Sequence, residues 1–158
     1  MTVDIDTLAL EQQVCFALAV TNRAVLSIYR PLLEPLGLTH PQYLVMLALW
    51  DHQKESTDDD APLSVKQIAA TLQLDSATLS PMLKRLQTLG LIARNRSTAD
   101  ERSTHIELTD GRALRERALA IPAAVVARLG VDLAELDEQR QRLTSINSAA
   151  LAAGALNL

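Results

Sequence analysis

Cysteine occurs once in this chain of 158 residues, at Cys15. A single thiol excludes any disulfide within the chain and suits a reducing, cytoplasmic setting. No apolar run approaches the roughly 20 residues needed to cross a bilayer, so no membrane partner is expected. The longest run, Tyr43-Leu-Val-Met-Leu-Ala-Leu-Trp50, reads as a buried helix. A basic leader is also missing: the N-terminus MTVDIDTLAL is acidic where a secretion signal would be basic. Three scattered histidines (His40, His52 and His105) with one cysteine do not make a structural zinc site. A thiol peroxidase would need a resolving cysteine or a general-base constellation, and neither is visible. No metal, cofactor or catalytic residue is therefore expected.

What the chain does have is ordinary bulk and uneven charge. Hydrophobic residues make up 48% and charged residues 22%, as in one compact domain with helical extensions. The net charge of −4 argues against a nucleic-acid partner only if it is spread evenly, and it is not. Acidic residues gather at Asp58-Asp59-Asp60, whereas the stretch 84–102 holds Lys84, Arg85, Arg94, Arg96 and Arg102 against only Asp100 and Glu101. A phosphate backbone responds to the face it meets rather than to the total.

Helical signals dominate. A first helix is predicted from about Thr7 to Tyr29, with Leu10, Val14, Leu18, Val25 and Ile28 at helical spacing and Pro31 ending it. A short turn follows to Leu36 and Gly37. Thr39-His40-Pro41-Gln42 is a capping box opening a helix to about Trp50, and Ser64-Val65-Lys66-Gln67 opens a short one to about Leu72. After a polar loop at 51–62 and a tight turn at Leu74-Asp75, another helix ends at Gly90. Pro81 leaves its start open between Ser76 and Ser80. The hydrophobic period then changes to two, giving short strands at 91–94 and 104–108 around a charged tip. Thr109 is expected to cap a long helix bent by Pro122, and Asp132 to cap a last helix carrying Leu133, Leu136, Leu143 and Ile146.

Helix, tight turn, helix and basic-tipped hairpin is the order of a winged helix-turn-helix, giving a mainly α fold with a small β-hairpin wing. In such a unit one helix props a second in the major groove while the hairpin reaches a neighbouring groove. Asp75, Ser76, Thr78 and Ser80 stand near the start of the second helix, the end that meets base edges. Lys84 and Arg85 are better placed for phosphates, and Arg94 and Arg96 belong to the wing. The plainer alternative is a solvated amphipathic helix beside a charged hairpin.

The run LDSATLSPMLKRLQTLGLIARNRSTADERSTHIELTDGRALRE (74–116) resembles the core of the MarR family of dimeric winged-helix repressors. Its most specific piece is DERS at 100–103, since an Asp-x-Arg-Ser wing is a family hallmark. The resemblance implies that Arg102 enters the minor groove and that Asp100 steadies the wing. It divides one domain, 1–158, into dimerisation helices at 7–36 and 110–158 around a DNA-binding region at 40–109. The implied partners are a second copy of the chain and a pseudo-palindromic double-stranded operator.

LEQQVCFAL followed by IYRPLLEPLGLTHPQYLVMLALW (28–50) is similar to the organic-hydroperoxide-sensing branch of that family, usually called OhrR. The resemblance implies that Cys15 is a redox sensor oxidised by organic hydroperoxides, after which the operator is released. Residues at the positions of Tyr29 and His40 support the thiolate in that branch; both are tyrosine there, and this chain departs from the pattern at His40. On a continuous helix Cys15 and Tyr29 stand roughly 21 Å apart at 1.5 Å per residue, so Tyr29 could serve Cys15 only across a dimer. His40 has three readings: a charged imidazole stabilising the thiolate, a neutral hydrogen-bond donor, or a solvent-exposed helix start. With no second cysteine, this looks like the one-cysteine type, in which a low-molecular-weight thiol caps the sulfenic acid or over-oxidation follows. A MarR-type regulator controlled by a small lipophilic or phenolic ligand is the rival within the fold.

Overall fold

The computed structural model describes residues 6–55, 62–100 and 102–156; the acidic run at 58–60 and Glu101 lie outside them. The described elements are, in order, α1 (Val14–Leu33), α2 (His40–Glu55), α3 (Val65–Leu72), α4 (Ser76–Thr88), β1 (Ile92–Arg96), β2 (Thr104–Leu108), α5 (Gly111–Ala118), α6 (Ile121–Leu129) and α7 (Leu133–Ala152). Single-turn 3₁₀ segments at Leu10–Gln12 and Glu34–Leu36 flank α1.

Local side-chain chemistry sets the starts of three consecutive helices. The Thr39 amide donates to Gln42 Oε1 at 3.0 Å, and the Gln42 amide returns a longer bond to Thr39 Oγ1 at 3.4 Å, closing the box that opens α2. Ser64 and Gln67 do the same for α3, at 2.8 and 3.1 Å. Asp75 caps α4 by accepting the Thr78 amide at 2.6 Å, which fixes the start of that helix at Ser76 rather than Ser80. Each cap satisfies backbone N–H groups that the helix itself cannot, and contributes about 1 kcal/mol.

Packing then gathers these elements around one core. Leu79, Leu83 and Leu86 of α4 are fully buried with Ile68 of α3, Val45 and Met46 of α2, and Ile92 and Ile106 of the hairpin. Each such side chain contributes about 1.5–3 kcal/mol by leaving water, which is why α4 holds its place despite Pro81. The carbonyl that Pro81 leaves without a helical partner belongs to Ala77, on the exposed side, where water can serve it. β1 and β2 pair antiparallel from Ile92 opposite Leu108 to Arg96 opposite Thr104. The segment before α3 joins the other edge of β2: Ser64 bridges His105, and the Ile106 amide donates to the Leu63 carbonyl at 2.8 Å.

Several sequence expectations need correction. α1 starts at Val14, after Gln13 takes an extended conformation, and runs through Pro31 to Leu33. The buried Leu33 and half-buried Ile28 and Leu32 pack on the core and hold that last turn, at the cost of one helical bond to Ser27. α2 continues past Trp50 to Glu55, and β1 extends to Arg96. Thr109 does not cap a helix; its hydroxyl donates to the Gly90 carbonyl at 2.6 Å and ties the end of the hairpin to its beginning. The expected long helix is two, because the chain breaks at Leu119–Ala120 and restarts as α6 with Pro122 in the first turn, where its missing N–H costs nothing.

Candidate nucleic-acid interface and redox site

The start of α4 and the wing face each other across one cleft. Ser76 lines it with Ser64 and Lys66 from the start of α3, Arg94 from β1, and Arg102 and Thr104 from the other side of the wing. Two helix starts and three basic side chains thus converge on one concave surface against a single carboxylate, Asp100, whose Oδ1 accepts the Arg102 amide, and the positive excess suits a phosphate chain. Thr78 is exposed in the first turn of α4, Ser80 is half-buried, and Lys84 and Arg85 are exposed further along the same helix. Arg96 is exposed at the end of β1 and does not line the cleft. Asp75 is engaged as the cap of α4; its hydrogen bonds with the backbone and side chain of Thr78 and the Ala77 amide hold its carboxyl below the usual range.

The wing tip is tied by short-range bonds. Asp100 Oδ1 accepts the Arg102 amide at 3.0 Å, and the Asp100 carbonyl accepts the Ser103 amide at 2.9 Å. Ser97 accepts the Asp100 amide through Oγ at 3.3 Å and donates its own amide to the Ser103 carbonyl at 2.8 Å. Asp100 therefore shapes the turn through the backbone of Arg102 and leaves the guanidinium exposed.

The second constellation lies where α1 meets α2. Tyr29 and His40 stand edge to face with ring centroids 4.9 Å apart, and Tyr43 lies 6.0 Å from Tyr29 and 6.3 Å from His40. Trp50 continues the series, 6.4 Å beyond Tyr43. Burial lowers the His40 pKa below the ordinary histidine value, favouring the neutral imidazole. Burial raises the Tyr43 phenol pKa, with a smaller push from Tyr29. Cys15 is exposed at the second residue of α1, and the unbroken helix from Val14 to Leu33 keeps it far from Tyr29 of its own chain.

Two of these residues escaped the sequence reading. Lys66 hides inside the capping box that starts α3, and Tyr43 reads as part of an apolar run. The signals were present: Lys66 stands two residues after the cap, at a helix start, and Tyr43 follows His40 by three, on one helix face.

The helices left uncovered are also informative. α7 buries no residue, and Leu133, Leu143 and Ile146 on it are 66%, 47% and 45% exposed. α1 buries only Leu33 while Val14 and Leu18 stay exposed, so apolar faces lie bare at both ends of the chain. Among the described residues no helix is long and apolar enough to cross a membrane, and no cluster of potential metal ligands occurs.

Two capped helices, a core-locked second helix and a basic hairpin define the class of winged helix-turn-helix transcriptional regulators. The family described as "Transcriptional regulator SarA/Rot" matches residues 27–115. The organic hydroperoxide resistance transcriptional regulator of Bacillus subtilis (strain 168) is 44% identical over 83% of this chain and 86% of its own length. Reduced AbfR bound to DNA, from the Staphylococcus epidermidis regulator, superposes with a TM-score of 0.74 at 32% identity, covering 91% of this chain and 94% of that one. A MarR-family regulator from Rhodococcus sp. RHA1 gives a TM-score of 0.73 at 25% identity over 88% and 95% of the two chains. The chain belongs to the MarR-type regulators and, within them, to the organic hydroperoxide resistance (OhrR) branch.

Proposed function

We propose that this protein is a cytoplasmic, homodimeric repressor that holds a pseudo-palindromic operator when reduced and releases it when an organic hydroperoxide oxidises Cys15. The observation that carries this reading is the placement of Cys15 in the first turn of α1 and of Tyr29 near its other end, paired there with His40 of α2. An antiparallel pairing of α1 with its copy about a two-fold axis brings each thiol to the other chain's aromatic pair, and it covers the bare faces of α1 and α7. The domain plan follows: 7–36 and 110–158 dimerise, and 40–109 reads DNA. Support for the redox part comes from relatives, one named for organic hydroperoxide resistance and one solved on DNA in its reduced form.

The chemistry balances with one cysteine. The thiolate sulfur of Cys15 attacks the terminal oxygen of the hydroperoxide, the O–O bond breaks, and the alkoxide leaves to be protonated to the alcohol. Cys15 becomes a sulfenic acid, which condenses with a low-molecular-weight thiol to a mixed disulfide and water. The added bulk falls on a packed interface, which responds to extra volume by shifting. Release follows when the two recognition helices leave the spacing of about one helical turn that the half-sites demand. In the DNA-bound state Arg102 reaches the minor groove from the wing, Ser76, Thr78 and Ser80 face base edges, and Lys84, Arg85, Arg94 and Arg96 hold phosphates.

The test is a mobility shift with the DNA flanking the protein's own gene, with and without cumene hydroperoxide and a small thiol. Binding that weakens steeply with salt and is lost on stoichiometric oxidation is the expected result. Binding indifferent to oxidation would remove the sensing function, and multiple turnovers of peroxide at the expense of thiol would replace it with a peroxidase.

A further inference from the structure

We propose that α5 is a strut linking the sensing corner to the DNA-reading unit, with Trp50 and Arg117 as the positioning residues that fasten its two ends. The proposal rests on the redox reading above and concerns how oxidation near Tyr29 and His40 reaches α4 and the wing.

At its C-terminal end α5 is fastened to the turn between the two sensing residues. Arg117 Nη2 donates to the Pro35 carbonyl at 2.7 Å, and Pro35 lies in the 3₁₀ turn Glu34–Leu36 that joins α1 to α2. Tyr29 precedes that turn and His40 follows it, so any change in the angle between them moves the carbonyl that Arg117 holds.

The N-terminal end meets the hinge of the DNA-reading unit. Trp50 Nε1 donates to the Gly111 carbonyl at 2.8 Å, a buried bond spanning 61 residues of sequence. The Gly111 and Thr109 amides both donate to the Leu91 carbonyl, at 3.1 and 3.0 Å, and Leu91 is the last residue of the turn from α4 into β1. Space there is exhausted. A Cβ on Gly111 would lie 2.6 Å from the Leu91 carbonyl oxygen, 2.7 Å from Met46 Cε and 3.0 Å from Leu108 Cδ2. One backbone position thus touches α2, the hinge between α4 and the wing, and the end of the strand that closes the wing.

Between these fastenings Leu114 and Ala118 seat α5 on the core, so it moves as one short rigid body. A displacement at the Pro35 corner is carried along α5 to Leu91, where it re-aims α4 and the wing together. Packed interfaces transmit such shifts because they have discrete arrangements rather than continuous compliance.

Trp50→Phe keeps the ring and removes the N–H donor; Arg117→Gln, at an exposed site, shortens the side chain and removes the fork that reaches Pro35. For each full-length variant, affinity for a labelled duplex from the DNA flanking the gene is measured before and after oxidation by cumene hydroperoxide and glutathione. The rate of thiol loss is followed in parallel. Both variants should bind like wild type when reduced and oxidise at the wild-type rate. The drop in affinity on oxidation should shrink from the range of about 5–150-fold typical of linked sites toward unity. If both variants release DNA on oxidation as fully as wild type, the strut is refuted while the sensor stands. If wild type itself keeps its DNA when oxidised, the sensing function fails and the strut with it. Should Trp50→Phe fail to bind DNA even when reduced, Arg117→Gln decides alone: retention after oxidation supports the strut, and release overturns it.

Discussion

Tyr29 and His40 meet edge to face with their ring centroids 4.9 Å apart, one at the last turns of α1 and the other at the first residue of α2. The contact narrows what His40 can be. Burial lowers its pKa, and a helix N-terminus disfavours a cation, so both effects favour a neutral ring with one N–H to give. The fully exposed reading is set aside as well, because His40 is half-buried between Tyr29 and Tyr43.

Cys15→Ser should bind the operator as tightly as wild type when reduced and keep that affinity in the presence of organic hydroperoxide. Serine is nearly isosteric with cysteine but does not enter the thiol oxidation ladder. Mobility shift across a peroxide titration checks this. A serine variant that still leaves DNA on peroxide treatment would end the redox mechanism.

Arg102→Ala should weaken operator binding by about 1–3 kcal/mol, roughly fivefold to 150-fold, while thermal stability stays unchanged. The side chain is exposed at the wing tip, and the turn around it is held by Asp100 through backbone groups that alanine retains. Arg96→Ala should lose less, since Arg96 lies outside the cleft that Arg94 and Arg102 share. Fluorescence anisotropy with a labelled duplex gives both numbers, and equal losses would mean the wing is misassigned.

Leu143→Glu combined with Ile146→Glu should convert the proposed dimer to a monomer without unfolding the chain. Both side chains are nearly half exposed on a helix that buries nothing, so the glutamates cost little within one chain but would have to be desolvated in an interface. Light scattering after size exclusion reads the mass. A double variant that stays dimeric would take α7 out of the interface.

Gly111→Ala should cost about 1–3 kcal/mol, because overpacking against a backbone oxygen cannot be relieved by a rotamer change. The new methyl would meet the Leu91 carbonyl at 2.6 Å. For a chain of this size each 1 kcal/mol lowers the melting temperature by about 2–4 °C, which a thermal melt resolves. Unchanged melting would show that the hinge at Leu91 yields freely.

Local features of the fold were legible and distant ones were not, for a physical reason. Capping boxes such as Ser64–Gln67 act within four residues, and the change of period after Gly90 reports which faces are buried, so the helices of the DNA-binding region and the wing could be read directly. Pro31 suggested a helix end because the burial of Leu33, which carries α1 past it, depends on packing. Thr109 suggested a cap because its actual acceptor, Gly90, lies 19 residues back. For the candidate site, the residue types and the basic wing could be read from the chain. The meeting of Tyr43 with Tyr29 and His40, and of Lys66 with Arg94 and Arg102, is set by tertiary contacts.

His40 stands at a position where the resemblance to the organic-hydroperoxide-sensing branch implies tyrosine, and substitution there separates a donor from a space-filler. If the partner chain's Cys15 approaches the pair, a neutral His40 supplies one hydrogen bond to the thiolate, as a phenol would. His40→Tyr should then keep the wild-type oxidation rate. His40→Phe should slow it by roughly tenfold or more, since a hydrogen bond to a charged group contributes about 1.5–3 kcal/mol. Tyr29→Phe on top of His40→Phe should depart from additivity, because both groups serve one sulfur. The pH dependence follows from the lowered His40 pKa. As pH falls below the ordinary histidine value, the unfolded chain takes up the proton before the folded one, so stability should decline through that window and level off below the folded pKa. His40→Tyr should flatten that decline. In the folded protein a cation forms near the thiolate only below the lowered His40 pKa, so the advantage of wild type over His40→Phe should widen only on the acid side of that window. The measurement is the rate of Cys15 oxidation by cumene hydroperoxide in the reduced proteins across pH, with denaturation midpoints at the same pH values. Equal rates for wild type, His40→Tyr and His40→Phe would return the sensing site to Cys15 and Tyr29 and leave His40 as a packing partner of the Tyr29 ring.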